Sequence, residues 1–286
     1  MIRPAPMPLR KAILTAASPS QRDLPLQTLT DASGARRSVL AAQIAEVESA
    51  GVRELAIVVH AGDRDAFARA AGASTVRTTW IEQRSADGYA DALLAAREFA
   101  GDEPFLHLVG DHVWLSRQER SCARQLVDAA QAEGCSVSAV QATRESRLPF
   151  YGAVGGQPVR NKPGLYAVED VLEKPTPTEA EQRLHVSGLR AGQYLCLFGL
   201  HVFTPGLWPH LERVRATGQR SLSPALAELA QRERYLALTP DGVRFDVGAT
   251  HGLLLAQLAM VLAGAHRGEL LEELVELLAL RDPGRR

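Results

Sequence analysis

Three short stretches put carboxylates or a lysine where a folded chain could use them. Asp111 directly follows an apolar run, in LHLVGDHVWL. A strand end sets such a carboxylate at the ligand edge of an α/β sheet. Magnesium prefers oxygen ligands and usually takes one or two carboxylates plus substrate phosphates. Taken alone, the same Asp serves equally well as a turn cap. Asp246 lies in GVRFDVGATHG with a glycine on each side. It has room to reach a metal, and it equally suits an N-cap for a helix starting near Thr250. The third stretch is Glu173-Lys174-Pro175. Pro175 pushes Lys174 towards extended backbone. A fixed lysine beside a glutamate suits a phosphate and a hydroxyl, or simply a surface ion pair.

Composition narrows the classes. The chain has 286 residues, 46% of them hydrophobic, which is enough for a large core. With 32 basic and 33 acidic residues the net charge is -1, so there is no electrostatic footprint for nucleic acid or an anionic membrane. Cys122, Cys135 and Cys196 are scattered, without a C-x-x-C pair. That fits reduced thiols better than a disulfide framework or a zinc site. His60, His107, His112 and His251 lack metal-ligand spacing and read as structural; only His112 adjoins a candidate site. The N-terminal MIRPAPMPLRK is basic, but the apolar run after it is too short and polar for a secretory leader. No run reaches the ~18 apolar residues of a membrane span. A cytoplasmic protein is expected.

The elements that must position these residues follow from periodicity. Apolar runs at 11–17 (KAILTAA), 55–60 (LAIVVH), 75–82, 105–109 (FLHLV) and 136–141 read as strands. Amphipathic stretches at 38–50, 63–71, 87–99 and 121–133 read as the helices between them, Ser38 capping the first and Gly51 stopping it. That alternation predicts an α/β fold, a Rossmann-like, mainly parallel, doubly wound sheet with ligands at the strand carboxyl ends. Beyond about 145 the pattern gives added short strands at 151–154, 168–173 and 244–247, a longer one at 193–204, and helices at 205–216 and 223–233. Residues 250–280 form a C-terminal helical segment. Its run GELLEELVELLAL is expected to cover the sheet or to make a homodimer contact. The acidic polar face is the wrong sign for anionic lipid.

In chain order these motifs resemble the sugar-phosphate nucleotidyltransferases, in particular the bacterial UTP–glucose-1-phosphate uridylyltransferases, and more broadly the glucose-1-phosphate thymidylyltransferases. KAILTAA resembles the first strand leading into the nucleotide loop, and IEQRSADGYADAL the base-recognition segment. GDEPFLHLVGDHV resembles the metal-aspartate strand, and YGAV, EKP, FGLHVFTPGLWPHL and FDVGATHG follow in order. The resemblance runs from Lys11 to about Gln257. It implies one unit over 1–286, with 11–145 holding a nucleoside triphosphate, 146–248 a sugar 1-phosphate, and 249–286 the C-terminal helices. It implies Mg2+ on Asp111 and Asp246, and nucleotide contacts from Ala16, Ala17, Ser18, Arg22, Gln83, Gly88 and Asp111. Gly152, Glu173 and Lys174 would take the sugar phosphate. Arg22, Asp111 and Lys174 would be catalytic, and a homodimer or tetramer would be possible.

Departures from the pattern bear on activity. Where the family reads Gly-x-Gly-Thr-Arg, this chain reads Ala17-Ser18-Pro19-Ser20-Gln21-Arg22, and only the arginine matches. Glycines let backbone amides wrap phosphates, whereas Pro19 has no N–H and a fixed φ. No lysine occurs between Lys11 and Lys162, so the family's lysine after the loop is missing, with Gln27 nearest its place. Arg22, Arg36 or Arg37 would have to compensate. Asp91 replaces a usual His, Tyr194 a usual Asn, and a glutamate near 221–223 is absent. The expected activity is uridylyl transfer from UTP to glucose 1-phosphate. The alternative is a non-catalytic relative that binds a sugar phosphate or a nucleotide sugar. A dehydrogenase is disfavoured because no G-x-G-x-x-G turn follows the first strand.

Overall fold

The computed structural model describes residues 7–83 and 88–280. The N-terminal half alternates as its apolar periods require. Strand β1 (Lys11–Ala16) leads into a small hairpin, β2 (Thr28–Thr30) and β3 (Arg36–Ser38), which polar sequence had hidden. Helix α1 (Val39–Ser49) starts where the Ser38 hydroxyl accepts from Ala41 N at 2.8 Å. Then come β4 (Glu54–His60), α2 (Arg64–Ala71) and β5 (Arg77–Gln83). The helix expected over 87–99 is two pieces, α3 (Tyr89–Ala95) and α4 (Arg97–Ala100), broken at Ala96; Asp87 lies outside the described residues. Next are β6 (Phe105–Val109), β7 (His112–Ser116), α5 (Cys122–Glu133) and β8 (Ser136–Arg144).

The second half adds β9 (Gly152–Pro158), β10 (Leu165–Glu173), α6 (Pro177–Arg183) and β11 (Gln193–Phe203). After these come α7 (Leu207–Ala216), α8 (Ser223–Arg232), β12 (Tyr235–Leu238), β13 (Gly242–Asp246), α9 (Gly252–Leu262) and α10 (Arg267–Ala279).

Among the described residues nine strands form one sheet in the order β5-β4-β1-β6-β11-β8-β12-β10-β9. The pairings make it mixed but mostly parallel: β10 and β11 oppose the other seven. Both faces are covered, as parallel strands require. On one side α1 and α5 bury Leu40, Ile44, Leu126 and Val127. On the other, α3, α7 and α8 bury Leu93, Leu211, Leu226 and Leu229.

Two features differ from the sequence expectation. Strand β13 stays out of the main sheet and pairs with β7 as a separate antiparallel ribbon. The C-terminal helix α10 does not cover the sheet. None of its residues is buried, and Leu271, Val275, Leu277 and Leu278 are exposed. The preceding α9 packs Ala256 and Met260 on Leu29, Val39, Val113 and Val247, against the two small ribbons and α1 and not the main sheet. Among the described residues no helix is long and apolar enough to cross a membrane.

Candidate active site

The carboxyl ends of β5, β1 and β6 open onto a cavity of about 700 Å3. From these ends come Gln83, Ala16 with Ala17 and Ser18, and Asp111. Opposite them stand Gly152, Glu173, Lys174 and Asp246, while Gly88 enters at the start of α3. Ten of the expected site residues therefore share one cavity.

Asp111 and Asp246 meet because β7 and β13 pair with His112 opposite Asp246. The ribbon brings side-chain donor atoms of Asp111, His112 and Asp246 within 4.8 Å of one another. His112 Nδ1 lies 2.7 Å from Asp111 Oδ1, so that nitrogen is already engaged. Asp246 is not a helix cap. Its Oδ1 accepts from Gly248 N at 3.0 Å, and His251 stands at the N-cap of α9. Burial pushes the Asp111 carboxyl up, but the His112 charge and hydrogen bond, its own backbone N–H and Arg244 outweigh that, and the group is held below its ordinary value.

A cation missed in the sequence organises this corner. Arg244, next but one to Asp246, is 7% exposed. Its guanidinium carbon lies 3.8 Å from the centre of the Tyr151 ring, and it donates to Leu197 O. The Tyr151 hydroxyl donates to Asp246 Oδ2 at 3.3 Å. A charged side chain on a short strand directly before a candidate ligand was the available signal.

Glu173 accepts from the Ser223 hydroxyl at 2.5 Å. A Cβ at Gly152 would stand 2.7 Å from that hydroxyl oxygen, so this contact needs the bare backbone. Lys174 departs from the extended backbone expected before Pro175: its φ is 47°, in the left-handed region. Its N–H still finds a partner in Tyr151 O at 3.2 Å. Among the described residues no carboxylate pairs with its ammonium.

At the other end, Gln83 donates from Nε2 to Asp91 Oδ2 at 2.8 Å, and Asp91 also pairs with Arg215 at 3.2 Å. Asp91 thus fixes the Gln83 amide. Gly88 has φ 110°, and a Cβ there would stand 2.5 Å from Arg220 Cβ. Arg220 lines the cavity, as does Arg147; neither was singled out in the sequence.

Arg22 stands elsewhere. It does not line the cavity: its Nε is 3.5 Å from Asp63 Oδ2 and its Nη1 3.3 Å from His60 Nδ1. Asp63 lies at the start of α2, and sequence spacing could not show that it would meet the loop. Arg37 does not fold back either, being paired with Asp31 at 2.5 Å, and Arg36 is exposed on β3 outside the lining. The loop between β1 and Arg22 closes on itself through Gln21 N to Ser18 O at 3.1 Å. It leans on the Asp246 turn, where Gln21 Nε2 would be 3.3 Å from a Cβ on Gly248.

Comparison with known proteins shows the family and the fold. The UTP–glucose-1-phosphate uridylyltransferase of Bacillus subtilis is 31% identical over 181 residues, 63% of this chain and 57% of the relative. The same-named protein of Streptococcus pneumoniae is 30% identical over 183 residues, with the same shares. The matched region thus spans less than two thirds of these curated relatives. Among solved structures, a UDP-glucose pyrophosphorylase complexed with UDP-glucose superposes with a TM-score of 0.72 at 21% identity, over 88% of this chain and 98% of that one. The UTP-bound enzyme from Acinetobacter baumannii gives 0.71 at 19%, over 96% and 100%. At such identities the likeness speaks for the fold alone. The family model described as nucleotidyl transferase begins its match at Gln27, beyond the first strand and the loop, and runs to residue 261. With most of its length inside that match, the chain belongs to the nucleotidyl transferase family.

Proposed function

We propose that the chain transfers a uridylyl group from UTP to glucose 1-phosphate, giving a nucleotide sugar and pyrophosphate. The observation that carries this reading is the convergence of Asp111 and Asp246 in one cavity with Glu173 and Lys174. In the reaction an oxygen of the sugar phosphate bonds to the α-phosphorus as the bond to the pyrophosphate oxygen breaks. No protein nucleophile is required, so positioning and charge neutralisation carry the catalysis.

The donor set fits Mg2+, since Asp111 and Asp246 offer hard oxygens and His112 Nδ1 is already turned to Asp111. Bound there, the ion would neutralise phosphate oxygens. The remaining work belongs to the chain. Lys174 seats the sugar phosphate, and Glu173, oriented by Ser223, accepts from a sugar hydroxyl. Gly152 lets the sugar approach. Gln83, held by Asp91, reads the base, with Gly88 beside it letting Arg220 pack close at the cavity wall. Backbone amides of Ala16, Ala17 and Ser18 face the nucleotide phosphates. In this reading 11–145 carry the nucleotide and 146–248 the sugar phosphate.

The loop without glycines leaves the triphosphate less well held, so turnover should be slower than with an intact loop. The three free, buried cysteines fit a reducing, cytoplasmic setting. Pyrophosphate release from UTP and glucose 1-phosphate with Mg2+ tests the proposal. Release no greater than from Asp111→Asn would remove it. Tight UDP-glucose binding without release would select a non-catalytic binder instead.

A further inference from the structure

His201 sits on β11, in register with His107 of β6 on one side and Ser138 of β8 on the other. It is 2% exposed, yet it lines the cavity. Its neighbour His107 is satisfied at both nitrogens: Nδ1 faces Ile13 O at 3.0 Å and Nε2 faces the Tyr89 hydroxyl at 2.6 Å. A carbonyl can only accept, so His107 carries its proton on Nδ1 and Tyr89 donates to Nε2. His201 is different. Its Nδ1 lies 2.6 Å from Ser138 Oγ, and among the described residues its Nε2 has no partner.

The direction of the chain of hydroxyls sets the tautomer. Tyr235 donates to Ser138 Oγ at 2.5 Å. With that oxygen accepting from the more acidic phenol, the Ser138 hydrogen is left for His201 Nδ1. Ser138 Oγ has a second lone pair that Nδ1–H could use, but its own hydrogen then finds no acceptor among the described residues; the proton on Nε2 satisfies both groups. Burial, with His107 and His112 nearby, keeps the ring neutral by holding its pKa far below the ordinary value. The result is an N–H donor that opens from an otherwise buried ring onto the cavity wall, where a ligand oxygen can replace water as its acceptor.

We propose that Tyr235 and Ser138 lock His201 as the Nε2–H tautomer, and that this N–H donates to an oxygen of the bound ligand. This rests on the reading that the cavity takes a nucleotide and a sugar phosphate. The acceptor oxygen belongs either to the nucleotide or to the hexose. Tyr235 and Ser138 lie outside the cavity lining and act as positioning residues.

The test begins with the free protein. Side-chain nitrogen NMR should assign His201 as Nε2–H, and Tyr235→Phe should move it towards Nδ1–H. An Nδ1–H tautomer in the wild type overturns the proposal. Titration with UMP, glucose 1-phosphate and UDP-glucose should then shift the His201 signals with UDP-glucose and with only one of the two fragments. That fragment carries the acceptor. Calorimetry should show about tenfold weaker binding of the same ligands to His201→Phe, with most of the affinity kept by His201→Gln, whose amide retains a donor. Wild-type affinity of His201→Phe for all three ligands overturns the contact. If none of the three binds the wild type, the reading of the cavity fails and the ligand contact with it. The tautomer, measured without ligand, is still decided separately.

Discussion

Val247 donates its backbone N–H to the carbonyl oxygen of Asp111 at 2.9 Å. This bond extends the β7–β13 register by one step and fixes the distance between two carboxylates that are remote in sequence. Asp111→Asn and Asp246→Asn keep the shape of the ribbon and remove one charge each. We expect each to lower pyrophosphate release by about 10²–10³-fold or more, to weaken Mg2+ binding in calorimetry, and to leave Tm nearly unchanged. Full activity in either variant would separate the aspartates from catalysis.

Lys174→Ala should weaken glucose 1-phosphate far more than UTP. The ammonium has no carboxylate partner among the described residues, and it shares the cavity wall with Glu173 and Gly152. Calorimetric titration of both ligands decides the matter. Equal losses would remove its assignment to the sugar side.

Arg22 gives a prediction opposite to the one its sequence position suggests. As the matched cation of a degraded loop, it would be expected to carry any residual rate. With its guanidinium held by Asp63 and His60 outside the cavity, Arg22→Ala should change turnover by less than about threefold, the scale of a weak exposed pair. Loss of all turnover would mean that the loop rearranges when nucleotide binds.

A pH effect should come from Glu46. This side chain on α1 accepts from Ala123 N at 2.7 Å. Burial outweighs that bond and pushes its carboxyl up from 4.5 to about 7. Between these two values the unfolded chain has released the proton and the folded chain keeps it. Stability therefore falls as pH rises from about 4.5 to about 7, then levels off. Glu46 is half-buried by surface area, which tempers the size. Glu46→Gln should match wild type near pH 4.5 and raise Tm by about 2–4 °C at pH 8. Parallel Tm curves for the two proteins across this range would rule the effect out.

The parallel strands were legible because burial on both faces makes them continuous apolar runs, as in LAIVVH and FLHLV. Asp111 was legible because it ends such a run. What stayed hidden depends on partners remote in sequence. HVWLS becomes a strand only because β13 returns to it, and Arg22 is turned away only because α2 brings Asp63 alongside. His201 read as part of an ordinary core strand, since the hydroxyls that set its proton come from β8 and β12. Of the two roles expected for α10, covering the sheet does not hold, because periodicity reports amphipathicity and says nothing of what lies opposite.

The left-handed backbone of Lys174 sets folding against function at a single position. A side chain with a Cβ is disfavoured at φ 47°, and only glycine adopts that angle without steric penalty. Lys174→Gly should therefore be more stable than Lys174→Ala by about 1 kcal/mol, although both remove the same ammonium. Selection for robustness alone would drift towards glycine here. The lysine found here costs the fold about that much and sets a cationic side chain in the cavity lining.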